Sequence, residues 1–92
     1  MEPTIAWEKS DRLLSGSTLA VRAVGLPESD ELRAAVAITI YAPPGSVQVA
    51  EDGSATVTLL LGPDEALGAS AWLRQASTAA SELGPPLYAY PE

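Results

Sequence analysis

The chain has 92 residues, with twelve Asp and Glu against five Lys and Arg, a net charge of −7, and neither cysteine nor histidine. Without cysteine there is no disulfide, thiolate nucleophile or zinc–sulfur site, and without histidine the commonest general base and metal ligand is missing. Phosphate-backbone binding rests on clustered Lys and Arg, but Lys9, Arg12, Arg22, Arg33 and Arg74 form no run.

Apolar residues make up 47% of the chain, too many for a disordered polymer, so one small domain spanning residues 1–92 is expected. MEPTIAWEKSDR has no basic segment leading into an apolar core, unlike a signal peptide. No apolar run approaches the roughly 20 residues of a membrane span. With an alanine-rich bias, these features lead to the expectation of a cytoplasmic protein, bacterial or phage, with no membrane contact.

Residues 4–14 admit two readings. Thr4-Ile5-Ala6-Trp7 can open a strand with Ile5 and Trp7 on one side at period two; alternatively Pro3 starts a helix carrying Trp7, Leu13 and Leu14 to Gly16. The balance leans to strand or irregular chain for 4–8, followed by a turn around Ser10-Asp11, with a break at Ser15-Gly16-Ser17. Residues 18–24 alternate Leu19, Val21 and Ala23 against Ala20, Arg22 and Val24, a strand whose wet face is marked by Arg22. Gly25-Leu26-Pro27 is expected to end it, and Glu28 to Arg33 reads as a charged connection. Residues 34–41 form the strongest strand, with Val36, Ile38 and Ile40 sharing a face.

Residues 47–49 and 55–61 flank Glu51-Asp52-Gly53-Ser54, and Asp-Gly between alternating runs predicts a hairpin with positive φ at Gly53. In the second run Ala55, Val57, Leu59 and Leu61 share one face and Thr56, Thr58 and Leu60 the other; with apolar ends it reads as a central strand. Gly62-Pro63 then turns into a helix expected over 63–83. Proline suits its first position, Asp64 and Glu65 complement the dipole, and Gly84 with Pro85-Pro86 ends it. Ala69, Trp72, Leu73, Ala76, Ala79, Ala80 and Leu83 share the inner face. The tail, residues 85–92, is read as extended along a sheet edge, or as a recognition strand for a partner.

The acidic pairs Asp30-Glu31, Glu51-Asp52 and Asp64-Glu65 have the residue types for Mg²⁺ or acid–base chemistry. Loop, hairpin tip and dipole compensation account for them better. No serine has a histidine to activate it and no glycine cluster has phosphate-cradling spacing. No catalytic, metal or cofactor site is therefore expected, and the protein is not expected to be an enzyme. A possible helix, three strands and a helix resemble the order in double-stranded RNA-binding domains. That family depends on lysines at the start of its second helix, where this chain has Gly62-Pro63-Asp64-Glu65-Ala66, so direct nucleic-acid binding is not expected.

The expected fold is α+β: an antiparallel sheet of three or four strands (about 18–24, 34–41, 47–49, 55–61) with one long C-terminal helix across one face. Val36, Ile38, Ile40, Val57, Leu59 and Leu61 should face Trp72, Leu73, Ala76 and Leu83. The outer helix stripe of Leu67, Ser70, Arg74, Ser77, Thr78 and Ser81 has a single charge, and Tyr88 and Tyr90 crowd the tail. These residues are the candidate interaction surface. The functional expectation is a small acidic interaction module with a protein partner or itself, as a homodimer. The alternative is an acidic inhibitor or nucleic-acid mimic seated in a basic groove of a host enzyme.

Overall fold

The computed structural model describes residues 3–28 and 31–87. Its elements run β1 (Thr4–Arg12), β2 (Thr18–Glu28), β3 (Glu31–Tyr41), β4 (Val47–Val49), β5 (Ala55–Val57) and α1 (Pro63–Ser81). The first three strands form an antiparallel sheet in the order β1-β2-β3, while β4 and β5 form a separate two-stranded ribbon. The α+β architecture with one C-terminal helix is thus present. The strand at the N-terminus removes the helix that the RNA-binding order would need.

Alternation along β2 decides which residues meet the helix. Leu19, Val21 and Ala23 join Leu13, Ala34, Ala76 and Ala80 in one buried cluster, with Trp7, Val36, Ile40, Leu59, Leu61, Ala69, Trp72 and Ala79 packed around it. Alanines at the centre let the helix axis approach the sheet closely, and larger side chains fill the perimeter. Arg22 lies on the opposite face, as its neighbours' pattern predicts. Ala20 and Val24 beside it are nonetheless buried.

Several expectations are corrected. β1 runs on to Arg12 with Ser10 and Asp11 paired to Ala20 and Leu19, so no turn falls there, and a bulge between Ile5 and Trp7 sets Ile5 opposite Val24 but Trp7 opposite Ala23. One inserted residue reverses the alternation, so the two side chains fall on opposite faces rather than the same one. Trp7 reaches the core while Ile5 stays exposed.

The segment around Glu28 to Arg33 is not a connection but the closing end of the β2–β3 hairpin, where Glu28 pairs with Glu31. Arg33 lies between both carboxylates, at 3.5 Å from Glu28 and 3.6 Å from Glu31, which offsets their repulsion. Pro27 is tolerated because it sits past Gly25, the last residue on that side to pair with β1.

Residues 55–61 do not make one central strand. Only Ala55–Val57 are strand; Leu59 and Leu61 lie beyond it and pack on the core, while Val57 is exposed. Ile38, expected inward, is 56% exposed, and Leu73 is 40% exposed at the flank of the helix. The helix crosses too narrow a strip of sheet to cover Ile38, and Leu73 falls at the edge of that contact.

Both ends of α1 are fastened to the sheet. At the start, Gly62 N–H donates to Glu65 Oε1 and Leu14 N–H donates to Glu65 Oε2, each at 2.9 Å. One carboxylate thus caps the helix and ties it to the β1–β2 turn. The helix ends at Ser81 rather than 83. Gly84 has φ 159°, close to extended rather than a left-handed stop, and a Cβ there would lie 2.5 Å from the Leu32 carbonyl oxygen. The chain then runs parallel to β3: Ala34 N–H donates to Pro85 O at 2.7 Å, and Leu87 N–H donates to Ala34 O at 2.8 Å. The expected sheet-edge path of the tail therefore holds through Leu87. Tyr88 and Tyr90 lie outside the described residues.

Candidate interaction surfaces

The ribbon of β4 and β5 is the least supported part of the molecule. Its strands touch each other and no other element. In register, Val47 faces Val57, Gln48 faces Thr56 and Val49 faces Ala55. Alternation therefore gathers the three valines and Ala55 on one face and leaves Gln48 and Thr56 on the other. All six are exposed, Val49 to 70%.

The turn is built as the sequence predicts. Gly53 has φ 89°, Ala50 N–H donates to Ser54 O at 2.8 Å, and Gly53 N–H donates to Ala50 O at 3.0 Å. Asp52 accepts from the Ser54 N–H at 2.9 Å and the Ser54 hydroxyl at 2.7 Å. These donors, the hydroxyl first, lower the Asp52 pKa below its ordinary value.

On the helix exterior, Leu67 is 72% exposed, and Ser70, Arg74, Ser77, Thr78 and Ser81 are all exposed. The Thr78 hydroxyl donates to Arg74 O at 3.2 Å and the Ser81 hydroxyl to Thr78 O at 2.8 Å. Their protons are thereby spent on the helix backbone, so the stripe is less polar than its composition implies. Arg74 takes part in no ion pair among the described residues.

Of the other charges, Arg22 is held between Glu8 and the Thr39 hydroxyl, the latter at 3.1 Å. The bond to Glu8 first, with a further contribution from the neighbouring Tyr41, raises its pKa above the ordinary guanidinium value. This group crosses all three strands on the face away from the helix.

A third feature is a cleft of about 270 Å³ between the first turns of α1 and the adjoining ends of β1 and β2. It is lined by Asp11, Leu13, Leu19, Asp64, Glu65, Gly68, Ala69 and Trp72. Its walls are apolar and its rim acidic. Among the described residues no set of three or more carboxylates is close enough to hold a metal ion, and no helix is long and apolar enough to cross a membrane.

The ribbon valines and the cleft escaped the sequence-based selection of sites. Valine alternation was visible at 47, 49 and 57, but it reads equally as core. Gly68, in mid-helix, was the one visible sign of the cleft.

No protein-family model matches the chain, and neither does any curated protein or any solved structure.

Proposed function

We propose that the protein is a small, acidic, non-enzymatic interaction module that associates with a second copy of itself. The observation that carries this reading is the ribbon. Two strands standing alone are marginal in water, yet this pair exposes Val47, Val49 and Val57 and packs against no other strand or helix. Neither strand carries a charge or proline, the devices that ordinarily keep exposed edges from pairing. The exposed Leu67 and the helix stripe, whose one charge is Arg74, are a second candidate contact surface.

The chain's lack of histidine and cysteine supports the non-enzymatic part. The inhibitor or nucleic-acid-mimic reading is weaker, because a mimic needs arrayed, unpaired acids. Glu8, Glu28 and Glu31 are instead paired with Arg22 and Arg33.

Sedimentation equilibrium of the wild type, Val49→Lys and Ser77→Glu tests the reading. A wild-type dimer dissociated by Val49→Lys is expected, because the substitution would bury an unpaired ammonium in the contact. Loss of the dimer in Ser77→Glu as well would extend the contact to the helix exterior. A wild type that stays monomeric at high micromolar concentration removes self-association.

A further inference from the structure

We propose that the cleft between α1 and the ends of β1 and β2 is a binding site for a small aliphatic primary ammonium ion. The argument starts from Gly68. Glycine is the least favourable residue short of proline in a helix interior, because it loses the most backbone freedom on folding. A Cβ at Gly68 would meet nothing within 4 Å, so neither a close approach nor an unusual backbone angle calls for glycine there. What the missing side chain leaves open is the cleft that Gly68 lines.

The lining determines the ligand chemistry. Leu13, Leu19, Ala69 and Trp72 supply an apolar wall, Asp11, Asp64 and Glu65 the acidic groups, and no Lys or Arg takes part. Glu65 is committed on both oxygens to Gly62 and Leu14, and one Asp11 oxygen accepts from the Arg12 N–H at 2.8 Å. The Asp64 carboxylate accepts no hydrogen bond and forms no ion pair among the described residues. Lys9 shares the helix-facing side of β1 with Asp11 by register, but it neither lines the cleft nor forms an ion pair among the described residues.

The positive end of the helix is worth about half a unit charge, less than the three carboxylates beside it, so the potential at the rim is negative. An anion is thereby disfavoured. The carboxylates form no metal-binding group, and a bare metal ion would make no use of the apolar wall. A cation attached to an alkyl chain satisfies both parts. The volume of about 270 Å³ falls just short of the ~300 Å³ at which drug-sized pockets begin, which suits a ligand of a few carbons.

The test is a nuclear magnetic resonance titration of the full chain with n-hexylammonium, 1-hexanol and hexanoate, read at the Gly68 and Ala69 amides. Saturable shifts are expected for hexylammonium, with affinity up to about fivefold above hexanol and none for hexanoate. Asp64→Asn, or 1 M salt, where screening acts over about 3 Å, should bring hexylammonium down to the hexanol level. Gly68→Leu fills the cleft with a good helix former, so it should keep the helical circular dichroism and lose binding. Equal affinity for hexanol and hexylammonium overturns the proposal, as does binding retained in folded Gly68→Leu. A capped lysine pentapeptide binding more tightly than the free amine would also overturn it, assigning the cleft to a protein side chain. The result is independent of self-association, since a monomer has the complete cleft.

Discussion

Ala76 has no exposed surface and sits in the same buried cluster as Ala23, which has none either. At such a contact the absence of atoms is what lets helix and sheet meet. Ala76→Leu must displace one from the other, and a loss of about 1–3 kcal/mol or more is expected from overpacking, read as a lower denaturant midpoint. Leu73→Ala, at the exposed flank, should cost under about 1.5 kcal/mol by the area it removes from contact. A larger effect for Leu73 than for Ala76 would contradict this assignment of the helix faces. Trp72 lines a cleft and is only partly buried. Trp72→Ala should therefore cost less than the 3–5 kcal/mol or so typical of a core tryptophan. Gly84→Ala puts a methyl against the Leu32 carbonyl, so it should destabilise despite lying outside any element.

At the scale of the element, the ribbon turn is the most self-contained unit. Gly53→Val forces a β-branched residue to φ 89° and should destabilise the turn by more than the ±0.5 kcal/mol or so typical of surface changes. Amide exchange of Ala50 reads this locally even if the global midpoint hardly moves. The Asp52 carboxylate is favoured by its Ser54 donors, so its folded pKa lies below the unfolded one. Its contribution to the turn is complete above the unfolded pKa and fades as pH falls through the lowered folded pKa. Ser54→Ala should raise the Asp52 pKa toward the ordinary carboxylate value, measured by side-chain carbonyl shifts. An unmoved titration would show that the hydroxyl is not the cause.

Local chemistry of this kind was legible in the sequence: the Asp-Gly turn, the Pro63 helix start and the strands around Val21 and Ile38 follow from residue types within a few positions. What was not legible depended on partners far along the chain. Leu59 and Leu61 look like a continuation of the strand until the core beneath α1 draws them away. The bulge at Ala6 leaves no mark in a run that alternates equally well without it. Gly84 advertises a helix stop, but Leu32, distant in sequence, determines its conformation. For the candidate sites the difficulty was different, since valines at period two look the same whether a sheet covers them or water does.

The whole molecule carries a net charge of −7, and a pair of copies must bring that charge together. Self-association through an uncharged ribbon should therefore strengthen as salt is raised from about 50 to 500 mM, because screening removes long-range repulsion while leaving apolar contact intact. Weaker association at high salt would show that ion pairs hold the dimer.

The two fastenings of α1 also bear on how the chain reaches its native state. β1, β2 and β3 pair strictly with their neighbours in sequence, so they can form by closing short loops. The bonds from Leu14 to Glu65 and from Ala34 to Pro85 and Leu87 join residues about fifty positions apart, and such closures carry a larger entropic cost. The meander should form ahead of the rate-limiting barrier and the two stitches after it. In a chevron experiment Val24→Ala, buried on the sheet face away from the helix, should then mainly slow refolding, whereas Gly84→Ala should mainly hasten unfolding. The residue that lets the tail cross Leu32 would thus govern the lifetime of the fold more than the speed of its formation.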